Sequence, residues 1–302
     1  MSLRTNIGDI RAKKLAGSLG AEIMGIDLSE PLDSKQVSFL EKLLLEHLVL
    51  FFPGQNLSES EHVGLGRNFG SLEAHPHLKN PTENVHPEIF ELAASHGGVA
   101  DEWHTDITFQ ENPAIMSILH MVKCPNVGGD TMWSSMYAAY EALSKPMQEF
   151  CSDLTALHDA SPHGQEEKMA IHPVIRVHPM TGRKALYVNE HFTRRIVELS
   201  HSESEVILGY LTRWASMPQF TVRYSWTEGD IAIWDNRCTQ HFVLNDFEGD
   251  RLIQRVTVMG DEPKGESGNE KWEPWLAKQG TGRRYDKNLR KFLGIKRNSR
   301  FN

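Results

Sequence analysis

The sequence predicts a mainly β protein of the α+β class, with a jelly-roll core decorated by helices and long insertions. Many short segments have the apolar patterning of strands. Turn signals such as Thr181-Gly182 and Glu228-Gly229 separate several of them. The helical patterns are few, and they do not alternate with strands in the regular way that builds a parallel sheet.

The strand segments are short runs that either alternate apolar and polar residues or stay apolar, with many β-branched and aromatic side chains. In chain order they cover residues 21–28, 49–52, 115–122, 174–178, 185–189, 220–226, 230–234 and 252–259. Strands this short and this numerous are typical of a jelly roll.

The helical segments are marked by capping residues and by stripes of apolar residues. Their predicted starts are Asp33 or Ser34, Ser58 or Ser60, Met136, Pro146 and Ser202. The first continues to His47 and the last to Ala215. Four apolar residues are available for the buried stripe of the last helix, namely Val206, Leu208, Leu211 and Trp214.

Length and composition permit one large domain and indicate no particular chemistry. The chain has 302 residues, 39% of them hydrophobic, and a formal net charge of −8. The last twenty residues carry +7, from eight basic residues against Asp286, which leaves −15 on residues 1–282. An acidic body argues against general nucleic-acid binding. The polar, glycine-containing segment 260–268 predicts a boundary between a domain at 1–263 and a polar, then basic, extension at 264–302.

The cysteines and the apolar runs bear on the compartment. Cys124, Cys151 and Cys238 are widely spaced and include no CxxC pair, so they predict neither a disulfide framework nor a thiolate metal cluster. No apolar run at the start resembles a secretory signal, and no run of about twenty apolar residues is present to span a bilayer. These features predict a cytoplasmic protein.

His104 and Asp106 are the first candidates for chemistry, because residues two apart on an extended segment point to the same side. Together with the distant His241 they can cap one face of a metal ion and leave three positions open. This arrangement suits Fe(II) and oxygen chemistry, whereas structural zinc closes a shell of four ligands. The chain has 15 histidines, and most histidines are ordinary surface or core residues, so the triad needs further support.

Arg251 and Arg255 provide that support. They lie four residues apart in a predicted strand, so alternation places both on one face. Inward-facing arginines are costly unless they meet anions. The two arginines therefore predict an anion beside the metal.

Four segments make the chain resemble the taurine dioxygenase family of Fe(II)- and 2-oxoglutarate-dependent oxygenases. They are WHTDITF at 103–109, GGDTMW at 128–133, ALYVNE at 185–190 and DIAIWDNRCTQH at 230–241. The resemblance extends over residues 15–263. It implies a double-stranded β-helix, which is a cupin-like variant of the jelly roll and agrees with the strand pattern.

By matching position, the resemblance also implies roles for particular residues. They are His104, Asp106 and His241 for iron, Arg251 and Thr131 for 2-oxoglutarate, and Arg255, His75 and Phe192 for the substrate. Because Asp106 is present where related halogenases have a small residue, the implied reaction with O2 is hydroxylation, which yields succinate and CO2. Relatives commonly form dimers or tetramers, so a homo-oligomer is implied as well.

The implied substrate pocket departs from that of the taurine enzyme. Leu78 stands where an aromatic hydroxyl is expected, and Ala100 stands where a side-chain amide is expected. The stretch between Asp159 and His172 is shorter than the corresponding lid. These departures predict a less enclosed site for a small organic anion, which is a sulfonate such as taurine, a sulfate ester or a carboxylate.

Several other interpretations stay open. Arg255 could instead form a salt bridge that orders its strand. Thr131 could only close the turn at 128–130, and His75 could be a surface residue. The whole chain has two alternatives: a cupin-like metal-dependent isomerase or hydrolase that ignores 2-oxoglutarate, and a non-enzymatic ligand sensor or scaffold whose basic tail binds an acidic partner. The first predicts no role for Arg251.

Overall fold

A seven-stranded sheet forms one wall of the protein. The computed structural model describes residues 10–74, 86–94, 100–266, 272–277 and 284–294. In spatial order the strands are β1 (Arg11–Lys14), β2 (Ala21–Met24), β3 (Val49–Phe52), β13 (Ile231–Asp235), β5 (Ala114–Lys123), β15 (Leu252–Met259) and β4 (Phe90–Ala93). Only β2 and β3 pair in parallel; the other neighbours in this sheet are antiparallel.

A smaller antiparallel sheet faces the first and carries part of the candidate site. Its strands, in order, are β12 (Thr221–Tyr224), β6 (Thr131–Ser135) and β14 (Thr239–Val243). The Trp133 ring of β6 lies 5.2 Å from that of Phe51 and 5.7 Å from that of Trp234, both in the large sheet. All three side chains are fully buried, so the core lies between the two sheets. The predicted jelly roll is confirmed.

Two further groups of strands complete the β structure. One is a sheet of β11 (Thr193–Ile196), β7 (Thr155–Ala160) and β8 (Gln165–Pro173), and the other is the hairpin of β9 (Ile175–Val177) and β10 (Lys184–Leu186). Gly182 turns that hairpin at φ 67°, a left-handed conformation in which glycine is favoured. The Thr181-Gly182 turn signal is therefore confirmed.

The first two helices begin where their caps predict, the helix predicted from Ser202 begins at His201 with Ser200 as its cap, and α6 (Arg284–Phe292) was not predicted. They are α1 (Ser34–His47), α2 (Glu59–Arg67), α3 (Met136–Glu141), α4 (Lys145–Ser152), α5 (His201–Ala215) and α6 (Arg284–Phe292). Asp33 and Ser58 form capping boxes with Gln36 and Glu61, which satisfies the free N–H groups of the first turns of α1 and α2. Across the described ranges, no helix has both the length and the apolar character needed to cross a bilayer.

The prediction that Val206 lies on the buried stripe of α5 is wrong. Val206 is 68% exposed, whereas Ser204, Leu211 and Ala215 are buried. Positions 204, 211 and 215 share one face, and residue 206 lies about 200° around the helix from residue 204 because each residue turns the helix by about 100°. The face that packs is therefore set by neighbouring elements and not by apolarity alone.

The described part of the C-terminal extension packs on the core. Leu289 of α6 is fully buried in a cluster with Leu157 and Val197. Arg195 donates to the carbonyl of Trp275 over 3.0 Å, and the amide of Val177 donates to the carbonyl of residue 264 over 2.7 Å. The extension thus follows the surface of the β7–β8–β11 sheet and the β9–β10 hairpin, while the domain boundary at residue 263 stays a prediction.

Candidate active site

Backbone pairing brings the three predicted metal ligands together. The amide of His104 donates to the carbonyl of His241 over 3.0 Å, and the amide of His241 donates to the carbonyl of His104 over 2.7 Å. His104 thus forms an isolated antiparallel bridge with β14. The two imidazole rings have centroids 4.0 Å apart. One ligand atom from each of His104, Asp106 and His241 lies within 4.8 Å of the others, and all three residues are buried.

The chain turns sharply just after the carboxylate. Ile107 has φ 47°, which is an outlier for a β-branched residue. Such strain persists only where surrounding contacts hold it, and it occurs often at functional sites. The turn leaves Asp106 facing the histidines, with Oδ1 lying 4.0 Å from His104 Nε2.

The protonation states suit a divalent cation. Burial lowers the pKa of His104 to about 4 and that of His241 well below its ordinary value, so both rings are neutral at pH 7. His104 Nδ1 bonds to the carbonyl of Glu102 at 2.8 Å and must carry the proton, which leaves the lone pair on Nε2. Burial opposes ionisation of Asp106, but Arg255 and the histidines lower its pKa. Two neutral imidazoles and one carboxylate fit Fe(II).

Arg251 is a buried cation that forms no ion pair with a described carboxylate, although the charge of Asp130 favours its protonated form. Its Nε donates to the carbonyl of Gly129 over 3.1 Å, and its Nη2 donates to Thr131 Oγ1 over 3.3 Å. Only 4% of it is exposed. Burial lowers its pKa to about 10, which still leaves it charged at pH 7. Gly129, at φ 69°, lets its backbone approach, since an added Cβ would lie 3.3 Å from Arg251 Cδ.

Thr131 has its proton free for a further acceptor. Its Oγ1 accepts from Arg251 and also from Trp226 Nε1, over 2.9 Å. Because two N–H groups use the oxygen lone pairs, the O–H can donate to a ligand. These contacts differ from the turn-closing alternative. The contact of Trp226 with Thr131 could not be predicted from the sequence, since no local pattern links position 226 to position 131.

Arg255 is paired with a predicted metal ligand. Its Nη1 forms an ion pair with Asp106 Oδ1, and its guanidinium carbon lies 5.0 Å from the ring centre of Phe90. Arg255 therefore lies beside the metal site, but in this structure its charge is matched by Asp106. This contact is the salt bridge that was the alternative role for Arg255. Its carboxylate, however, belongs to a predicted metal ligand, Asp106, and not to a purely structural residue.

Phe192 lies in a group of rings beside His104. Its centroid is 6.4 Å from that of His104, 5.3 Å from that of Phe109 and 4.5 Å from that of His191. His163 stacks on it at 5.5 Å with an interplanar angle of 11°. The position agrees with a wall next to the reacting centre. Of the other predicted pocket positions, His75 and Leu78 lie outside the described residues, whereas Ala100 is described and its carbonyl accepts from the amide of Val243 over 2.9 Å.

A second buried group, His178, Asp235 and Cys238, also has ligand-type atoms within 4.8 Å of one another. Arg237 pairs with both oxygens of Asp235, at 2.9 and 2.7 Å. His178 Nε2 bonds to the same carboxylate at 3.0 Å. Because the carboxylate is already satisfied, this group supports the turn between β13 and β14, which leads to His241.

An open three-ligand face and a buried arginine that no described carboxylate pairs with, in one jelly roll, are what a metal-dependent oxygenase with an anionic co-substrate requires. The family described as taurine catabolism dioxygenase TauD, TfdA family, matches residues 11–257. An alkylsulfatase from Acinetobacter baylyi is 39% identical over 282 residues, 86% of this chain and 88% of that protein. An alpha-ketoglutarate-dependent sulfate ester dioxygenase from Pseudomonas putida is 36% identical, covering 84% of this chain and 91% of that protein.

A solved structure of a taurine dioxygenase from Burkholderia xenovorans superimposes with a TM-score of 0.78, at 37% identity, over 86% of this chain and 94% of that one. The chain belongs to the TauD/TfdA family and is a 2-oxoglutarate-dependent dioxygenase. The resemblance to the taurine dioxygenase family is confirmed. Family membership also decides against a non-enzymatic sensor and against an isomerase or hydrolase that ignores 2-oxoglutarate.

Proposed function

We propose that the enzyme uses Fe(II), 2-oxoglutarate and O2 to hydroxylate a small organic anion, with His104, Asp106 and His241 holding the iron. The observation that carries the proposal is Arg251, a buried cation whose described contacts are a carbonyl and a hydroxyl oxygen. Such a charge is costly unless an anion meets it. Iron bound at the three ligands supplies the activation of O2 as 2-oxoglutarate is decarboxylated to succinate and CO2.

The positions of Arg251 and Thr131 fit one end of a dicarboxylate. A planar guanidinium recognises a carboxylate in bidentate fashion, and the free O–H of Thr131 provides one more donor. Thr131 is two residues from Trp133 on β6, and Trp133 is the register partner of His241. Two residues of strand span roughly 7 Å, comparable with the length of a five-carbon dicarboxylate. One carboxylate at Arg251 therefore leaves the keto acid end close to His241.

For the substrate, we propose an alkyl sulfate ester first, followed by sulfonates such as taurine and then by carboxylates. The order follows the names of the two relatives, an alkylsulfatase and a sulfate ester dioxygenase. Arg255 is the proposed partner of the substrate anion, with Phe192 as an apolar wall and His75 as an assisting group. Phe192 and Phe109 offer aromatic surface to an alkyl chain beside the reacting carbon.

The decisive experiment is anaerobic reconstitution of the protein with Fe(II) and 2-oxoglutarate. We expect a metal-to-ligand charge-transfer absorption that shifts when a substrate is added. In air, succinate should then form in proportion to oxidised product, with alkyl sulfates, sulfonates and carboxylates compared at equal concentration. Turnover that continues without 2-oxoglutarate, or only with neutral or cationic compounds, would overturn the proposal.

Replacing Arg255 with glutamine should separate its two candidate roles. If it binds the substrate anion, the KM for substrate should rise by roughly 30-fold or more, since truncating one partner of a buried charge pair costs about 2–5 kcal/mol. The KM for 2-oxoglutarate should stay near the wild-type value. Steady-state kinetics in both substrates measures this directly.

A control is Arg183→Gln, which removes an exposed guanidinium that donates to Glu141 over 2.7 Å. Its substrate KM should be unchanged. An Arg255→Gln enzyme that binds Fe(II) differently but keeps the wild-type substrate KM would reduce Arg255 to a partner of Asp106.

We further propose that the enzyme works in the cytoplasm and as a homo-oligomer. The support for the first is chemical: Cys124, Cys151 and Cys238 are all free thiols in this structure, and two of them are buried. The support for the second is the family resemblance. Analytical ultracentrifugation of the full chain tests the oligomeric state.

A further inference from the structure

A chain of three hydrogen bonds leads from Trp234 to the carboxylate of Asp106. Trp234 Nε1 donates to Asn236 Oδ1 over 2.9 Å, and Asn236 Nδ2 donates to Ser117 Oγ over 2.8 Å. Ser117 Oγ then donates to Asp106 Oδ2 over 2.7 Å. Asp106 is 3% exposed, and the other three residues are fully buried. Water therefore does not compete for these bonds.

The direction of every bond in this chain is determined. The indole N–H of Trp234 can only donate, so it selects the oxygen of the Asn236 amide. The amide nitrogen of Asn236 must then face Ser117 and donate to it. Because the Ser117 oxygen accepts that bond, its own proton goes to Asp106, which as a carboxylate can only accept.

The backbone holds the same residues rigidly. Ser117 on β5 and Trp234 on β13 are register partners in the large sheet. The amide of Asn236 donates to the carbonyl of Ile115 over 2.9 Å. The chain of side chains therefore joins two neighbouring strands of the core to the carboxylate, and its geometry is as fixed as that of the sheet.

We infer that Ser117 and Asn236 are positioning residues that orient Asp106: they occupy Oδ2 and leave Oδ1 as the oxygen offered to the metal ion. The inference depends on the proposed function, because it assigns these residues to the metal site. Oδ1 is the oxygen that faces His104 Nε2 at 4.0 Å. Groups that support metal ligands in this way tune metal affinity without touching the ion.

Arg255 makes the orientation consequential. Its guanidinium pairs with Oδ1 and so competes with a cation for that oxygen. If Ser117 did not occupy Oδ2, the guanidinium could take both oxygens as a bidentate pair, which is the stronger arrangement. Ser117 thus limits Arg255 to one oxygen and keeps the carboxylate available to the metal.

The test is the affinity of the metal-free protein for Co(II), measured by spectroscopic titration without 2-oxoglutarate. We expect Ser117→Ala to bind Co(II) roughly 10- to 100-fold more weakly than the wild type. Ser117→Thr, which keeps a hydroxyl on the same carbon, should recover most of the affinity. Thermal unfolding of each variant shows that the fold is retained, and Ser117→Cys, a weaker donor of similar size, replaces the alanine variant if that protein does not fold.

Thr257→Val is the matched control. Thr257 is the register partner of Ser117 on β15 and is fully buried, and its Oγ1 has no hydrogen-bond partner in the part of the chain that the structure describes. The Thr257→Val protein should bind Co(II) as tightly as the wild type. Wild-type affinity in Ser117→Ala, or an equal loss in Thr257→Val, would overturn the inference. Failure of the proposed function would look different, because wild-type protein would then bind Co(II) but show no turnover dependent on 2-oxoglutarate.

Discussion

Asp106→Ala should abolish turnover dependent on 2-oxoglutarate. The change removes the carboxylate from the set of three ligands and also the partner of Arg255. Two neutral imidazoles would then face an unmatched guanidinium, whose positive charge repels a divalent cation. Mutation of a residue that only supports a metal ligand lowers metal affinity by up to about 100-fold. Loss of the ligand itself should therefore lower it by more than roughly that factor.

Two measurements check this expectation. One is Fe(II) binding by anaerobic titration, and the other is succinate and product formation at saturating 2-oxoglutarate. Asp159→Ala is a suitable control, because Asp159 is also a buried carboxylate paired with an arginine, Arg194. It should lose stability but keep its metal. Product formation at the wild-type rate in Asp106→Ala would sink the assignment of the iron site.

Arg251→Gln should weaken 2-oxoglutarate binding by roughly 30- to 4,000-fold, with iron binding unaffected. Loss of one member of a buried charge pair costs about 2–5 kcal/mol, and each 1.4 kcal/mol or so is a factor of ten. Arg251 contacts Gly129 and Thr131 but none of the three ligands. The effect should therefore fall on the KM for 2-oxoglutarate, while kcat at saturation changes much less.

The charge-transfer absorption of the Fe(II) protein, titrated with 2-oxoglutarate, gives this affinity without turnover. Thr131→Val should show a smaller loss, roughly 10-fold or more, as expected for a hydrogen bond to a charged group. Arg194→Gln is the control, since Arg194 is an arginine whose described contacts are the Asp159 carboxylate and the His191 carbonyl, and not Gly129 or Thr131. An unchanged KM in Arg251→Gln would contradict the assignment of the co-substrate site.

Much of the fold could be predicted because the signals are local. The cap at Asp33 and the bounds of β15 follow from residues within a few positions of each other. β1, β4, β7, β8 and β11 were not predicted, and neither were β6 and β14, although these two carry Thr131 and His241. Strands β6 and β14 have five residues each, TMWSS and TQHFV, and their polar side chains are buried along with their apolar ones. A hydrophobic pattern has nothing to detect in such strands.

The sequence alone determined which metal-ligating and anion-binding side chains are available, and which of them lie close together along the chain. The spacing of His104 and Asp106, and that of Arg251 and Arg255, follows from strand alternation, which is a property of the backbone over a few residues. Only the tertiary structure decided which anion each arginine meets: Arg255 pairs with Asp106, whereas Arg251 has no carboxylate partner among the described residues. That outcome depends on sheet register between distant segments, and register is set by packing of the whole core.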